Sequence, residues 1–148
     1  MKLVGIRRKM SFGNDQTGSL WREFMPRRKE IKNTTTKDLY SLQQYGTGFR
    51  FDPQTELEKW ALAAVSDFDD IPGGMEPYLL KGGKYAVFRY KGPGGDPGIF
   101  RYIFSDWLPR SGYILDSRPH FEVLGEGYKG NDPDSEEAIW IPITTKPT

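Results

Sequence analysis

The chain has 148 residues, 36% of them hydrophobic and 14% aromatic, which suits one compact domain with a substantial core and leaves too little length for two independent ones. No apolar run approaches the roughly 20 residues of a membrane helix, and the start, MKLVGIRRKM, is too short an apolar stretch for a secretory signal, so a cytoplasmic location and no membrane contact are expected. With no cysteine and one histidine, His120, thiolate chemistry, disulfides, zinc ribbons and multi-histidine metal centres are excluded, and no cofactor is expected.

Alternation predicts a first strand over residues 2–10, followed by a helix over 18–31 with apolar residues at Leu20, Trp21, Phe24, Met25 and Ile31. This part of the chain is basic: residues 1–37 carry ten of the 21 Lys and Arg but three of the 20 acids. Arg7, Arg8 and Lys9, and Arg27, Arg28 and Lys29, could meet phosphates. A formal net charge of +1 nevertheless lacks the broad positive field of a nucleic-acid binder, and direct nucleic-acid contact is not expected.

Strands are predicted over 38–46, 57–67, 75–80 and 84–91. A second helix over 97–108 places Ile99, Phe100, Ile103, Phe104 and Trp107 at helical spacing, between Pro97 and Pro109. Strands over 120–128 and 138–144 complete the pattern. Strand, helix, strand, strand is therefore written twice, and a shift of about 81 residues sets LVGIRRKM against KYAVFRYKG, LWREFMP against IFSDWLP, and LYSLQQYG against HFEVLGEGY. The expected fold is α+β: a single domain of two βαββ repeats, about 1–68 and 75–148, forming an antiparallel sheet with helices on one face and a groove at the pseudo-twofold. DDIPGGMEPYLLKGG at 69–83 is the seam, with Met75–Leu80 leading into the second copy.

In HFEVL, alternation sends Phe121 and Val123 to one face and His120, Glu122 and Leu124 to the other. In AIWIPI, Ile139, Ile141 and Ile143 form an aliphatic face for the helices, leaving Ala138, Trp140 and Pro142 opposite, on the side expected to hold Glu122 and Leu124. A carboxylate beside an indole suits a flat organic cation, through charge pairing and a cation–π attraction of about 0.5–2 kcal/mol. A solvated strand position paired with a Lys or Arg is the ordinary alternative for Glu122. The repeat register places Ser41, Gln43 and Tyr45 on the groove face. It places Trp60 on the side of Ile141, an assignment that a one-residue shift would reverse.

Catalytic motifs are broken or missing. The GGKY at Gly82 lacks the hydroxyl residue that follows a P-loop lysine, GPGGDPG at Gly92 fails the dinucleotide spacing, and no GxSxG elbow occurs.

The segments YAVFRYKGP, WLPRSGY, RPHFEVL and IWIPI, with a looser first half through VGI, LWREF and LYSLQQYG, resemble the GyrI-like family, also known as the effector-binding domain of AraC-type and multidrug-responsive regulators. The resemblance implies a duplicated βαββ fold whose groove binds amphipathic, often cationic compounds. It places the family's cation-recognising acid on Glu122 and the aromatic residue of the last strand on Trp140. Ala138 stands where many relatives carry a second acid, and Glu137 is expected to face the other way.

The expected function is a stand-alone binding module for hydrophobic, cationic small molecules, with Glu122 as charge partner and Trp140, Leu124, Tyr45 and Trp60 as walls. Two alternatives follow from the same resemblance. One is hydrolysis of cyclopropane-bearing toxins with Glu122 as acid or base, and the other is inhibition of a topoisomerase by the basic surface. The sequence has no room for a helix-turn-helix segment, so a separate DNA-binding chain is a further candidate partner.

Overall fold

The computed structural model describes residues 1–45, 52–93, 97–130 and 132–146, which form eight strands and two helical segments in an α+β arrangement. The glycine-rich segment that begins at Gly92 lies partly outside the described residues. The chain divides into two compact units, Met1–Gly82 and Gly83–Thr148.

In the first unit β1 (Lys2–Ser11), β2 (Thr34–Tyr45), β3 (Glu56–Val65) and β4 (Glu76–Leu79) run in the order β4-β1-β3-β2, with antiparallel pairings. Helix α1 (Thr17–Arg27) lies on one face and buries Leu20 and Phe24 against Val4, Ile6, Met10, Leu57, Ala61 and Ala63. The small alanines of β3 leave room for the Phe24 ring, and Trp21 packs edge-on to it at 5.7 Å. Pro26 has no N–H for the helix ladder, and the chain tightens into a 3₁₀ turn at Arg28–Glu30. Gly5 marks the tightest approach in the unit, since a Cβ there would sit 1.8 Å from the Ala61 carbonyl oxygen.

The segment expected to lead into the second copy pairs backwards instead. Lys2 stands opposite Leu79, and the Leu80 N–H donates to the Met1 carbonyl at 2.9 Å, so β4 becomes an outer strand of the first unit.

The second unit is centred on a long strand. β8 (Glu136–Thr145) pairs with β5 (Tyr85–Lys91) on one side, and with β7 (His120–Leu124) and β6 (Tyr113–Leu115) on the other. The three-residue β6 is too short to show alternation and is absent from the strands expected from the sequence. Pro142 fits inside this central strand because of its position. The Ile143 N–H points to the Lys84 carbonyl of the β5 side, so the nitrogen of Pro142 points to the other side, between the pairings of β7 and β6. The second helical segment runs through α2 (Pro97–Tyr102), a π turn over Ile103–Trp107 and α3 (Leu108–Arg110). In the π turn the Leu108 N–H reaches the Ile103 carbonyl. Ile103, Phe104 and Trp107 from this segment cover Ile139, Ile141 and Ile143, the aliphatic face the sequence assigns to the helix.

No helix among the described residues is long and apolar enough to cross a membrane.

Candidate functional site

Directly opposed residues of an antiparallel pair share a face of the sheet. Glu122 of β7 stands opposite Ile139, and Ile139 stands opposite Phe88 of β5, so Glu122 projects to the side covered by the helical segment. His120 is buried on the same side, with its ring 5.9 Å from that of Phe100. Leu124, two residues beyond Glu122, shares that side and is half-buried.

Trp140 is on the other face. It stands opposite Phe121 and Val87, stacks on the Phe121 ring at 5.4 Å and meets Tyr85 edge-on at 5.7 Å. Arg118 covers this cluster 4.5 Å from the Tyr85 ring, held by Asp116 at 2.8 Å. The expectation that Glu122 and Trp140 share a face is therefore corrected. Phe121 does not join the core under the helix, because it completes the aromatic stack on the far side.

The residue that does accompany Glu122 is Glu137. It lies two positions before Ile139 and so projects to the same face, where its carboxyl is hydrogen-bonded to that of Glu122. Glu137 faces opposite to Ala138, as expected, and because Glu122 lies on the helix side, that orientation places Glu137 beside Glu122 as the second acid. Glu137 is only 8% exposed, and burial pushes its carboxyl above the usual carboxylate range, partly offset by the hydrogen bond from Glu122. Two carboxyl groups hydrogen-bonded to one another must share a proton. Tyr128 lies near both acids, and its phenol is held protonated above its ordinary range, first by burial and then by the charges of Glu137 and Glu122.

The wall behind the acids is aromatic and aliphatic. Phe88 meets Trp107 edge-on at 5.0 Å, and Tyr90, Phe100 and Phe104 pack on the same isoleucines. The acid pair thus sits at the margin of an apolar, aromatic layer.

The remaining sequence candidates lie in the first unit. The expectation that Tyr45 lines the groove face is corrected: with Ser41 and Gln43 it shares the α1 side of that unit, where it packs against the core, and its hydroxyl donates to Gln43 at 3.1 Å. Trp60 is on the opposite face of β3: it stands across from Arg7 and Leu42, meets Tyr78 edge-on at 5.1 Å and donates its indole N–H to Glu58 at 3.1 Å. Its placement corrects the assignment to the side of Ile141, and at 5% exposure it is a packed residue.

Residues 1–144 match the GyrI-like small molecule binding domain. The chain belongs to this family. The transcriptional regulator BrlR of Pseudomonas aeruginosa is 30% identical to it over 145 residues, which are 95% of this chain and 51% of that protein, so the chain spans about half the length of this curated relative. Among solved structures, SAV2435 bound to tetraphenylphosphonium has a TM-score of 0.71 at 16% identity, with 97% of this chain and 88% of that chain covered. The EcmrR C-terminal domain has a TM-score of 0.70 at 16% identity, covering 98% and 92%. An integron cassette protein of Vibrio cholerae has a TM-score of 0.68 at 12% identity, covering 97% and 90%. The GyrI-like fold expected from the sequence is thus the fold found, and the chain is a small-molecule binding domain related to the ligand-binding domains of transcription regulators.

Proposed function

We propose that the chain binds hydrophobic organic cations on the helix-covered face of the Gly83–Thr148 unit, with Glu122 and Glu137 as the charge partners and Leu124 and the neighbouring aromatic side chains as the apolar wall. The observation that carries this reading is the hydrogen-bonded acid pair itself. One carboxyl of an empty pair holds a proton because two buried negative charges side by side repel and are poorly solvated. A cation without hydrogen-bond donors relieves both costs at once and leaves the apolar wall to hold its rings. Tetraphenylphosphonium, the ligand described with SAV2435, is a cation of this kind and supports the same class for this chain.

The experiment is a titration with tetraphenylphosphonium followed by tryptophan fluorescence, Trp107 lying on the acid-bearing face. Wild-type protein gives saturable quenching, and Glu122→Gln and Glu137→Gln each weaken it by about tenfold or more, the loss of one buried charge partner being worth at least about 1.4 kcal/mol. Equal affinity in the wild type and both variants would remove the acids from the site.

A further inference from the structure

A cavity reaches the buried member of the acid pair. It lies where β5 ends and β8 begins, has a volume of about 350 Å³, and is lined by Tyr90 and Glu137, which stand opposite one another, together with Val123, Gly127 and Ala138. That volume is at the lower end for small-molecule pockets and suits a small fused-ring compound.

Charge decides what such a compound carries on entry. The wall also holds two cations, Arg89 and Lys91, against the carboxylate of Glu136 and the single charge of a Glu122–Glu137 pair that keeps its proton. The empty cavity is therefore near neutral overall, and it gives an uncharged molecule an entry that no surplus field opposes. Burial raises the Glu137 carboxyl, which keeps the shared proton in place. The other groups around the pair are Tyr128, held protonated in the loop after β7, Tyr90 across from Glu137 on β5, and His120, two residues before Glu122 on β7. The helical segment packs on this face through Ile103, Phe104 and Trp107, none of which titrates.

We propose that the acid pair takes an uncharged, weakly basic aromatic compound and gives it the shared proton, so that the organic cation is formed in the site rather than carried into it. The inference rests on the proposed role of Glu122 and Glu137 as cation partners and names the ligand class for it. In the transfer the O–H bond of the protonated carboxyl breaks with its electron pair staying on oxygen, and the nitrogen lone pair of the base forms the new N–H bond. The product is an N–H cation held by two carboxylates through a charge-assisted hydrogen bond, and no proton passes to water. A permanent cation must instead displace that proton to solvent before both carboxylates can face it. A strong base is in the same position, because it is already charged in water.

The probes are acridine, which is uncharged in neutral water and has a distinct absorption band once protonated, and N-methylacridinium, its permanently charged counterpart. Bound to the wild-type protein at about pH 7, acridine shows the protonated band that free acridine lacks there. Its binding heat is the same in phosphate and in Tris, two buffers of different ionisation heat, because no proton is exchanged with solvent. The heat for N-methylacridinium differs between the two buffers and reports one proton released. Glu137→Gln, which removes the shared proton, weakens acridine binding by about tenfold or more. Bound acridine with the spectrum of its neutral form, a buffer-dependent heat for acridine, a buffer-independent heat for N-methylacridinium, or equal acridine affinity in Glu137→Gln would each overturn the proposal. If acridine fails in one of these ways while N-methylacridinium affinity still depends on Glu122 and Glu137, the cation reading stands without the proton transfer. If neither compound responds to Glu122→Gln or Glu137→Gln, the cation reading fails and the transfer with it.

Discussion

Glu122 and Glu137, on neighbouring strands, share one face of the second unit and a hydrogen bond, with Glu137 almost fully buried. Their closeness has a thermodynamic consequence that does not depend on any ligand. Glu137 is raised, so over the interval between the ordinary glutamate value and its folded value the native state holds a proton that the unfolded chain has released. Stability contributed by that proton is complete below the ordinary value and is lost as pH rises through the raised one. Thermal melts of ligand-free protein between about pH 4 and about pH 8 should show a Tm that declines across the upper part of that range, and Glu137→Gln, which cannot ionise, should flatten the decline. A cation that requires both acids ionised has the opposite dependence, its affinity rising with pH over the same interval.

Trp140 gives a contrasting expectation. Its ring stacks on Phe121 and meets Tyr85 on the face away from the acids, so its role is packing. Trp140→Ala should cost about 2 kcal/mol in denaturant unfolding, less than for a fully buried tryptophan because the side chain is half-buried. Tetraphenylphosphonium affinity should be unchanged in the same variant. A large loss of affinity with unchanged stability would return Trp140 to the cation site.

The misplacement of Trp140 shows where alternation stops being informative. In β8 the apolar residues Ile139, Ile141 and Ile143 occupy one parity in a row, and their side was readable. In HFEVL both parities hold apolar residues: Phe121 and Val123 on one, Leu124 on the other. Only the hydrogen-bond register, a long-range property, decides which pair goes under the helix. LEKWALAAV has the same ambiguity, and Trp60 was misplaced for the same reason. The side of Glu137 was readable, since counting back by two from Ile139 reaches it; its meeting with Glu122 was not, because the register of β7 that decides the side of Glu122 is a long-range property. The helices were legible because their apolar spacing and their prolines are local signals.

Ser135 fixes the turn that delivers Glu136 and Glu137 to the sheet. It is 1% exposed, its hydroxyl accepts from the Lys129 N–H at 2.7 Å, and its carbonyl accepts from the Gly92 N–H at 2.7 Å. Ser135→Ala keeps the carbonyl contact and strands the Lys129 amide without its acceptor. The expected loss is about 1–3 kcal/mol of unfolding free energy, with faster amide exchange at Lys129 as the local signature. Ser135→Thr, which keeps the hydroxyl, should recover amide protection at Lys129 where its added methyl is accommodated.

Gly5 provides the sharpest test of the first unit. The strand is extended there, and the glycine is required by space: a Cβ would lie 1.8 Å from the Ala61 carbonyl oxygen and 2.9 Å from the Leu62 Cα, both backbone atoms that no rotamer change can move. Gly5→Ala would therefore have to push β1 and β3 apart within their pairing, where Gly5 stands opposite Leu62. The loss should exceed the roughly 1–3 kcal/mol of ordinary overpacking, because the ladder hydrogen bonds on both sides are strained along with the packing. Gly73, whose added Cβ would meet nothing within 4 Å, is the matched control, and Gly73→Ala should leave the unfolding midpoint nearly unchanged. A Gly5→Ala protein as stable as the control would mean that β1 and β3 are further apart at this point than the structure places them.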